Sequence, residues 1–329
     1  MGVTLSSRCH TLLEVLGDSE FHSGAVLACD LQCSRASVRK SVEQLRELGF
    51  DVESACGHGY RLRTPMELLD ANRVMTVVRE MGAPPVRLQI LQSVDSTNSQ
   101  LARTSRDVPN HGQFCFAETQ TEGRGRKGRT WVSPYARNLC FSVIWQFTGG
   151  PERLLGLSLA VGVMIVDALR ACGCTGVALK WPNDLVWRGR KLGGVLIELE
   201  GRNGDATSAL IGVGINVAMP LVAMNSVEQD WVDLFEICGE RPSRNHLAGM
   251  LVVALTDGLK RFGEDGWPAY RERWASLDYC SGRPVLVELP RSKKTGRALG
   301  VDANGNLLVE TADGREVFHS GDVSLRPLP

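Results

Sequence analysis

The stretch GRGRKGRTW, residues 123–131, holds four cations and three glycines in its first eight positions and then ends on a tryptophan. So much charge cannot bury itself, and the glycines leave the backbone free to rearrange. Such a loop can close over an anion, where guanidinium and backbone donors make charge-assisted hydrogen bonds of about 1.5–3 kcal/mol each. It matches neither a GxxxxGK phosphate loop nor a GxGxxG turn that opens a helix. A disordered nucleic-acid-binding patch would have the same composition.

Three further stretches carry groups suited to chemistry. KWPNDLVW (180–187) sets Asn183 and Asp184 after a proline at a strand junction, where polar groups can orient a phosphate or its magnesium ion. GRKLGGVLIE (189–198) puts Lys191 beside two glycines, so its ammonium can reach a ligand lying against bare backbone. DSTN (95–98) can line a pocket or simply cap a helix. Each has a plainer reading as a turn, a solvated lysine or a cap.

These groups need a scaffold, and 329 residues at 43% hydrophobic content can bury a large core divided among two or three domains. The formal net charge is zero, so positive charge acts locally rather than as an overall field. Ten cysteines occur without a CxxC pair and read as reduced thiols. No apolar run approaches the ~20 residues of a membrane span, and the N-terminus lacks the pattern of a secretory signal. A soluble, cytoplasmic protein without a membrane partner is expected.

The elements fall into three segments. Residues 1–63 read as three helices and a hairpin, a winged helix-turn-helix. Helix 34–48 starts on Ser34, buries Val38, Val42 and Leu45, and stops at Gly49; Arg35, Arg39 and Arg46 share another face. Ser34, Arg35, Ser37, Arg39 and Lys40 are the candidate DNA contacts. This segment holds seven Lys/Arg against eight Asp/Glu, so one copy should bind DNA weakly without a second. Residues 64–275 begin with a linker and a helix and continue as strands interleaved with few helices. That pattern predicts an α+β domain on a mostly antiparallel, mixed sheet, with 152–173 as a buried helix. Residues 276–329 alternate in short runs around Asn304-Gly305 and Asp313-Gly314, the signature of a small closed or half-closed β-barrel.

DSTN, GRGRKGRTW, KWPNDL and GRKLGGVLIE, in that order and at these separations, resemble the biotin protein ligases. With the winged helix the match is to the bifunctional bacterial form, both ligase and biotin operon repressor, and it covers practically the whole chain. The resemblance implies a biotin/lipoate-ligase-like central fold and an SH3-like C-terminal barrel. It implies that biotin and ATP, with Mg2+ carried on the substrate phosphates, give biotinyl-5'-adenylate and pyrophosphate. A lysine of the biotin carboxyl carrier protein of acetyl-CoA carboxylase then takes the biotin, and an adenylate-bound homodimer binds operator DNA.

Carried over by position, the resemblance assigns Ser96, Thr97, Asn98, Gln120, Arg124, Gly125, Arg126, Lys191 and Gly194 to biotin. Arg124, Arg126, Arg129, Trp131, Asn183, Asp184, Asn216 and Trp231 go to the nucleotide, the last from the stretch VEQDWVD. Lys191 and Arg126 are the catalytic candidates. Lys127 and Thr130 fall at variable places, and Gly193 stands where a small residue suffices. A lipoate ligase, a noncatalytic biotin-sensing transcription factor and an RNA-binding protein are the rival readings.

Overall fold

The computed structural model describes residues 5–104, 111–203, 206–220, 229–290, 292–321 and 323–328. Near the N-terminus, helices α1 (Ser7–Val15), α2 (Gly24–Asp30) and α3 (Arg35–Glu47) each start on a serine. The hydroxyls of Ser6, Ser23 and Ser34 accept from the amides of Cys9, Val26 and Ser37 at 3.1–3.2 Å, which satisfies an otherwise orphaned helix-end donor. Val38, Val42 and Leu45 are fully buried, as their spacing predicts. An antiparallel hairpin, β1 (Val52–Ala55) with β2 (Gly59–Leu62), forms the wing. Arg46 does not join Arg35 and Arg39 on an open face. Its guanidinium donates to Val52 O at 2.8 and 3.0 Å and to Ser54 Oγ at 2.5 Å, stapling the wing to α3.

The central sheet has the order β3-β4-β5-β9-β8-β7-β6, comprising Arg87–Leu91, Gln113–Ala117, Asn138–Thr148, Ala206–Asn216, Arg190–Asn203, Asp184–Trp187 and Ala178–Lys180. Only β3 with β4 is parallel. Strand β7 covers β8 only through Gly194, and Val195 is held by Asn183. Beyond it, the outer edge of β8 over 196–203 has no ladder partner among the described residues.

Helix α6 (Leu157–Ala171) is buried on almost every side and packs on β8, on α8 (Arg244–Asp265) and on α9 (Pro268–Leu277). With the preceding turn, Pro151–Ala171 is 21 residues long and apolar enough to cross a membrane, which corrects the expectation that no run approaches that length. Its place inside the molecule explains its composition: a helix surrounded by sheet and helices needs apolar residues all round. The sequence motifs do not announce α7 (Leu234–Cys238), α8 or α9. All ten cysteines are free thiols, with the Sγ atoms of Cys174 and Cys238 2.6 Å apart.

The C-terminal sheet, β13-β12-β11-β10-β14, is antiparallel throughout, over Gly314–Phe318, Leu307–Thr311, Lys293–Val301, Pro284–Glu288 and Ser324–Pro327. Its two turns fall on the Asn-Gly and Asp-Gly pairs, with Gly305 and Gly314 at φ +81 and +108. Val285, Val287, Leu307 and Val309 are buried in continuity with the central core. Trp181 Nε1 donates to Gly305 O at 3.0 Å and so docks this sheet on the central one.

One buried ion pair joins linker, sheet and α8. Arg244 Nη2 lies 2.7 Å from Glu118 Oε2, with the two side chains 4% and 1% exposed. The guanidinium also donates to Asn138 O and Glu67 O, while Glu118 Oε1 accepts from Leu69 N at 2.5 Å. A few residues past Glu118 and the cationic loop, Tyr135 enters the core of the N-terminal helices. It meets Phe50 edge-on at 6.0 Å, and its hydroxyl lies 3.1 Å from His10 Nδ1. Arg244→Ala, which strands the Glu118 carboxylate, should lower unfolding free energy by about 3–5 kcal/mol in urea titration. A variant within about 0.5 kcal/mol of the parent would mean that the pair does not join these elements.

Candidate active site

A cavity of about 730 Å³ opens between the cationic loop, the central strands β8 and β9, the KWPND turn and β14. That size suits an organic ligand larger than a nucleotide base, since ligand pockets run from about 300 to 1,000 Å³. Every ligand candidate read from the sequence lines it. Ser96, Thr97, Asn98 and Gln120 form one wall, and Arg124, Gly125, Arg126, Arg129 and Trp131 the lid; Asn183, Asp184, Lys191, Gly194, Asn216 and Trp231 complete it. Val227 and Glu228 of VEQDWVD lie outside the described residues. The candidate DNA contacts stand apart on α3. There Arg35 and Lys40 are exposed, Arg39 pairs with Glu43 at 3.0 Å, and the hydroxyls of Ser34 and Ser37 bond each other at 3.0 Å.

DSTN leads into a helix and forms part of a cavity wall. Gln120 Oε1 accepts from Thr97 N at 2.8 Å, fixing the first residue of α5 (Thr97–Thr104). From β5, Ser142 Oγ donates to Asn98 Oδ1 at 2.6 Å and lies 2.7 Å from Thr97 Oγ1. Asp95 turns away to Arg103, whose hydrogen bonds at 2.7 and 2.8 Å outweigh desolvation and pull its pKa down to about 2.

On the floor, Asp184 is held between two ammonium groups, Lys191 Nζ at 2.7 Å and Lys180 Nζ at 3.1 Å. Burial pushes its pKa up, but Lys191 and Lys180 overcome that and hold the carboxyl below its ordinary range. Each carboxylate oxygen faces one ammonium, so Asp184 anchors the two lysines. Backbone pairing fixes Lys191 from the other side: its N–H donates to Asp230 O and its carbonyl accepts from Val232 N, both at 2.9 Å, which brings Trp231 alongside. Asn216 stitches this together beneath, donating to Val232 O at 3.1 Å and accepting from Asn138 Nδ2 at 3.2 Å. Gly193 is more constrained than expected. A Cβ there would lie 2.5 Å from Gly214 O on the neighbouring strand, so even alanine requires a backbone shift.

The cationic loop folds back on itself. Gly125 N donates to Arg129 O at 2.7 Å and Trp131 N to Gly123 O at 2.8 Å, with Lys127 at φ +58 forming the tip. The tip rests on the chain entering β14. Arg126 donates to the carbonyls of Ser320 and Gly321, and Lys127 Nζ to Ser324 Oγ at 3.1 Å. Arg126 Nη1 also reaches Asn183 Oδ1 at 3.4 Å. Trp131 lies flat on Gly214, where a Cβ would approach its ring to 2.6 Å, and its Nε1 donates to Cys140 Sγ at 3.3 Å.

Sequence reasoning missed Lys180, Ser142, Glu198, Ser320, Gly321 and Ser324. Lys180 alone left a signal, four residues before Asp184 across a tight turn; the others are brought in by strand pairing and domain docking.

The family model described as "Biotin/lipoate A/B protein ligase family" matches residues 90–216. "Biotin protein ligase C terminal domain" matches 280–326, and "HTH domain" matches 8–61. The bifunctional ligase/repressor BirA of Salmonella typhimurium is 39% identical over 316 residues, 96% of this chain and 97% of the relative. Its counterpart in Escherichia coli K12 is 39% identical over 315 residues, 96% of each chain. This chain belongs to the bifunctional biotin protein ligase/repressor family. A biotin protein ligase from Aquifex aeolicus, solved in complex with biotin and ATP, is 30% identical with a TM-score of 0.63, covering 74% of this chain and 99% of that one.

In this family member the KWPND strand rests on a second buried carboxylate. Asp278, after α9, bridges to Leu179 of β6. Its Oδ1 accepts from Cys280 N at 2.9 Å, while Oδ2 is buried without a hydrogen-bond partner. Burial raises its pKa from an ordinary 3.8 to about 6. A carboxyl raised in the folded state favours folding at low pH, and that contribution is lost as pH rises from about 4 to 6. Asp278→Asn should therefore lose less stability than the parent between pH 4 and pH 7, by on the order of 2–3 kcal/mol. Parallel stability curves for the two proteins would show that the carboxylate is ionised at no cost.

Proposed function

We propose that the chain activates biotin with ATP and transfers it to a lysine of a biotin carboxyl carrier protein, and that its adenylate-bound form represses transcription. In the first step a biotin carboxylate oxygen attacks the α-phosphorus, the new P–O bond forms, the α–β phosphoanhydride bond breaks and pyrophosphate leaves; magnesium on the substrate phosphates would offset their charge. In the second, the carrier's amine attacks the biotinyl carbonyl, an amide forms and AMP departs. The chemical obstacle is repulsion between two anions in the first step. Cations fixed in advance stabilise the negative charge that builds up there.

The observation that carries this reading is the convergence of Lys191, anchored on Asp184, and the Arg126 loop from opposite walls of one cavity. Lys191 meets the biotin carboxyl, and Arg126, with Arg124 and Arg129, the phosphate. Ser96, Thr97, Asn98, Gln120, Gly125 and Gly194 enclose biotin, while Trp131, Asn183, Asn216 and Trp231 frame the nucleotide. We assign residues 1–63 to operator binding, 64–275 to catalysis and 276–329 to closing the site. The setting is cytoplasmic.

Incubating the protein with biotin, ATP, magnesium and an apo carrier domain should add the mass of biotinyl to the carrier, and lipoate should not substitute. Lys191→Ala should slow pyrophosphate release by about 100- to 1,000-fold, the scale for losing one fixed donor to a developing charge. An unchanged rate would reduce Lys191 to a surface lysine.

Repression follows if two copies pair along the open 196–203 edge of β8, because an edge strand's unpaired N–H and C=O groups are a template for a second copy. A winged helix with seven cations against eight acids then gains a second half-site to offset its weak field. Mass and operator affinity measured with and without biotin plus ATP should both rise with the ligands. Equal affinity in both conditions would end the switch and leave the ligase standing.

A further inference from the structure

We infer that Glu198 is a positioning residue that roots the cationic loop on the open edge of the sheet, so that retention of the adenylate and pairing of two copies act through one carboxylate. This rests on the ligase reading above. Glu198 Oε2 accepts from Asn98 Nδ2 at 2.7 Å and lies 3.3 Å from Arg124 Nη2, while Arg124 also donates to Ser99 Oγ at 3.2 Å. One oxygen thus holds two groups of different origin: an amide in the cavity wall and the guanidinium at the base of the loop.

The wall side of this contact is rigid. Ser142 Oγ fixes Asn98 Oδ1 at 2.6 Å, and a Cβ on Gly212 would sit 2.6 Å from that same oxygen, so the amide has one place to be. The loop side differs between base and tip. At the tip, Arg126 donates to the carbonyls of Ser320 and Gly321 and Lys127 to the hydroxyl of Ser324, which tie it to the C-terminal sheet. At the base, Arg124 faces a full carboxylate on a strand of the central sheet, so the root is held independently of the tip.

Glu198 stands inside the 196–203 stretch of β8, which has no ladder partner among the described residues. Pairing a second strand there fixes the backbone of Glu198 and with it the carboxylate; ordering the loop fixes the same carboxylate through Arg124. Each event then lowers the ordering entropy left to the other, and the coupling is reciprocal.

Glu198→Gln keeps an oxygen for Asn98 and removes the charge facing Arg124. With the full chain, the rate of biotinyl-adenylate release and the dimerisation constant, with and without adenylate, are measured for parent, Glu198→Gln, Arg124→Gln and the double variant. The pair is half-exposed, at 48% and 37%, so release should be about two- to fivefold faster. The ligand's enhancement of dimerisation should fall by the same factor, with ligand-free dimerisation unchanged. Glu198→Gln should add nothing in the Arg124→Gln background, and Glu198→Asp should restore most of the slow release. Parental release with parental ligand dependence, or an equal loss without Arg124, overturns the inference. Failure of the parent itself to make adenylate from biotin and ATP would instead sink the ligase reading, and this inference with it.

Discussion

Asp184 is 14% exposed with the ammonium groups of Lys191 and Lys180 against it, and three charges so far withdrawn from water persist only where the backbone holds them in good geometry. Much of the surrounding structure supplies that geometry. The tight β6–β7 connection sets Lys180 and Asp184 across from each other, and β7 pairs Asp184 with Gly194. The 230–232 segment pairs with Lys191 and brings Trp231 over it. Asn216 and Asn138 tie those strands together from below. The carboxylate thus fixes where the Lys191 ammonium sits in the cavity wall.

The opposite wall is built on a different principle. Of the loop's four cations, Arg124, Lys127 and Arg129 are exposed and Arg126 is half-buried; Arg126 donates to the carbonyls of Ser320 and Gly321, and Lys127 to Ser324 Oγ. The start of β14 thus holds the loop's tip, while Trp181, in the same motif as Asp184, holds the β11–β12 turn.

The ligand cavity and the N-terminal helices, distant along the chain, meet just after the cationic loop. The loop ends at Trp131, and Tyr135 is already packed between His10 and Phe50 in the N-terminal core. The amide of Ala136 donates to Glu118 O at 3.0 Å, and Glu118 is bound to Arg244. The segment linking adenylate loop and winged helix is therefore held at both ends by buried contacts, which leaves little slack between them.

The winged helix, the Ser34 cap, most central strands and the four motifs lining the cavity were legible because each is local: an N-cap, a hydrophobic period or a turn dipeptide is written in a few consecutive residues. Lys191, Asp184, Arg126 and Trp131 could be named from their motifs for the same reason. Other features depend on which strand lies beside which. Arg46 shared a helix face with Arg35 and Arg39 until β1 offered its carbonyl, and Gly193 looked replaceable until β9 crossed within reach of its Cβ. Glu198 is one acid among many along β8, and only the approach of Asn98 and Arg124 singles it out. Residues 234–277 carry no motif, so their helices emerged only as the layer that buries α6. Local hydrogen-bonding and periodicity are properties of the chain, whereas charge pairing, backbone clearance and an open sheet edge exist only once distant segments have been brought together.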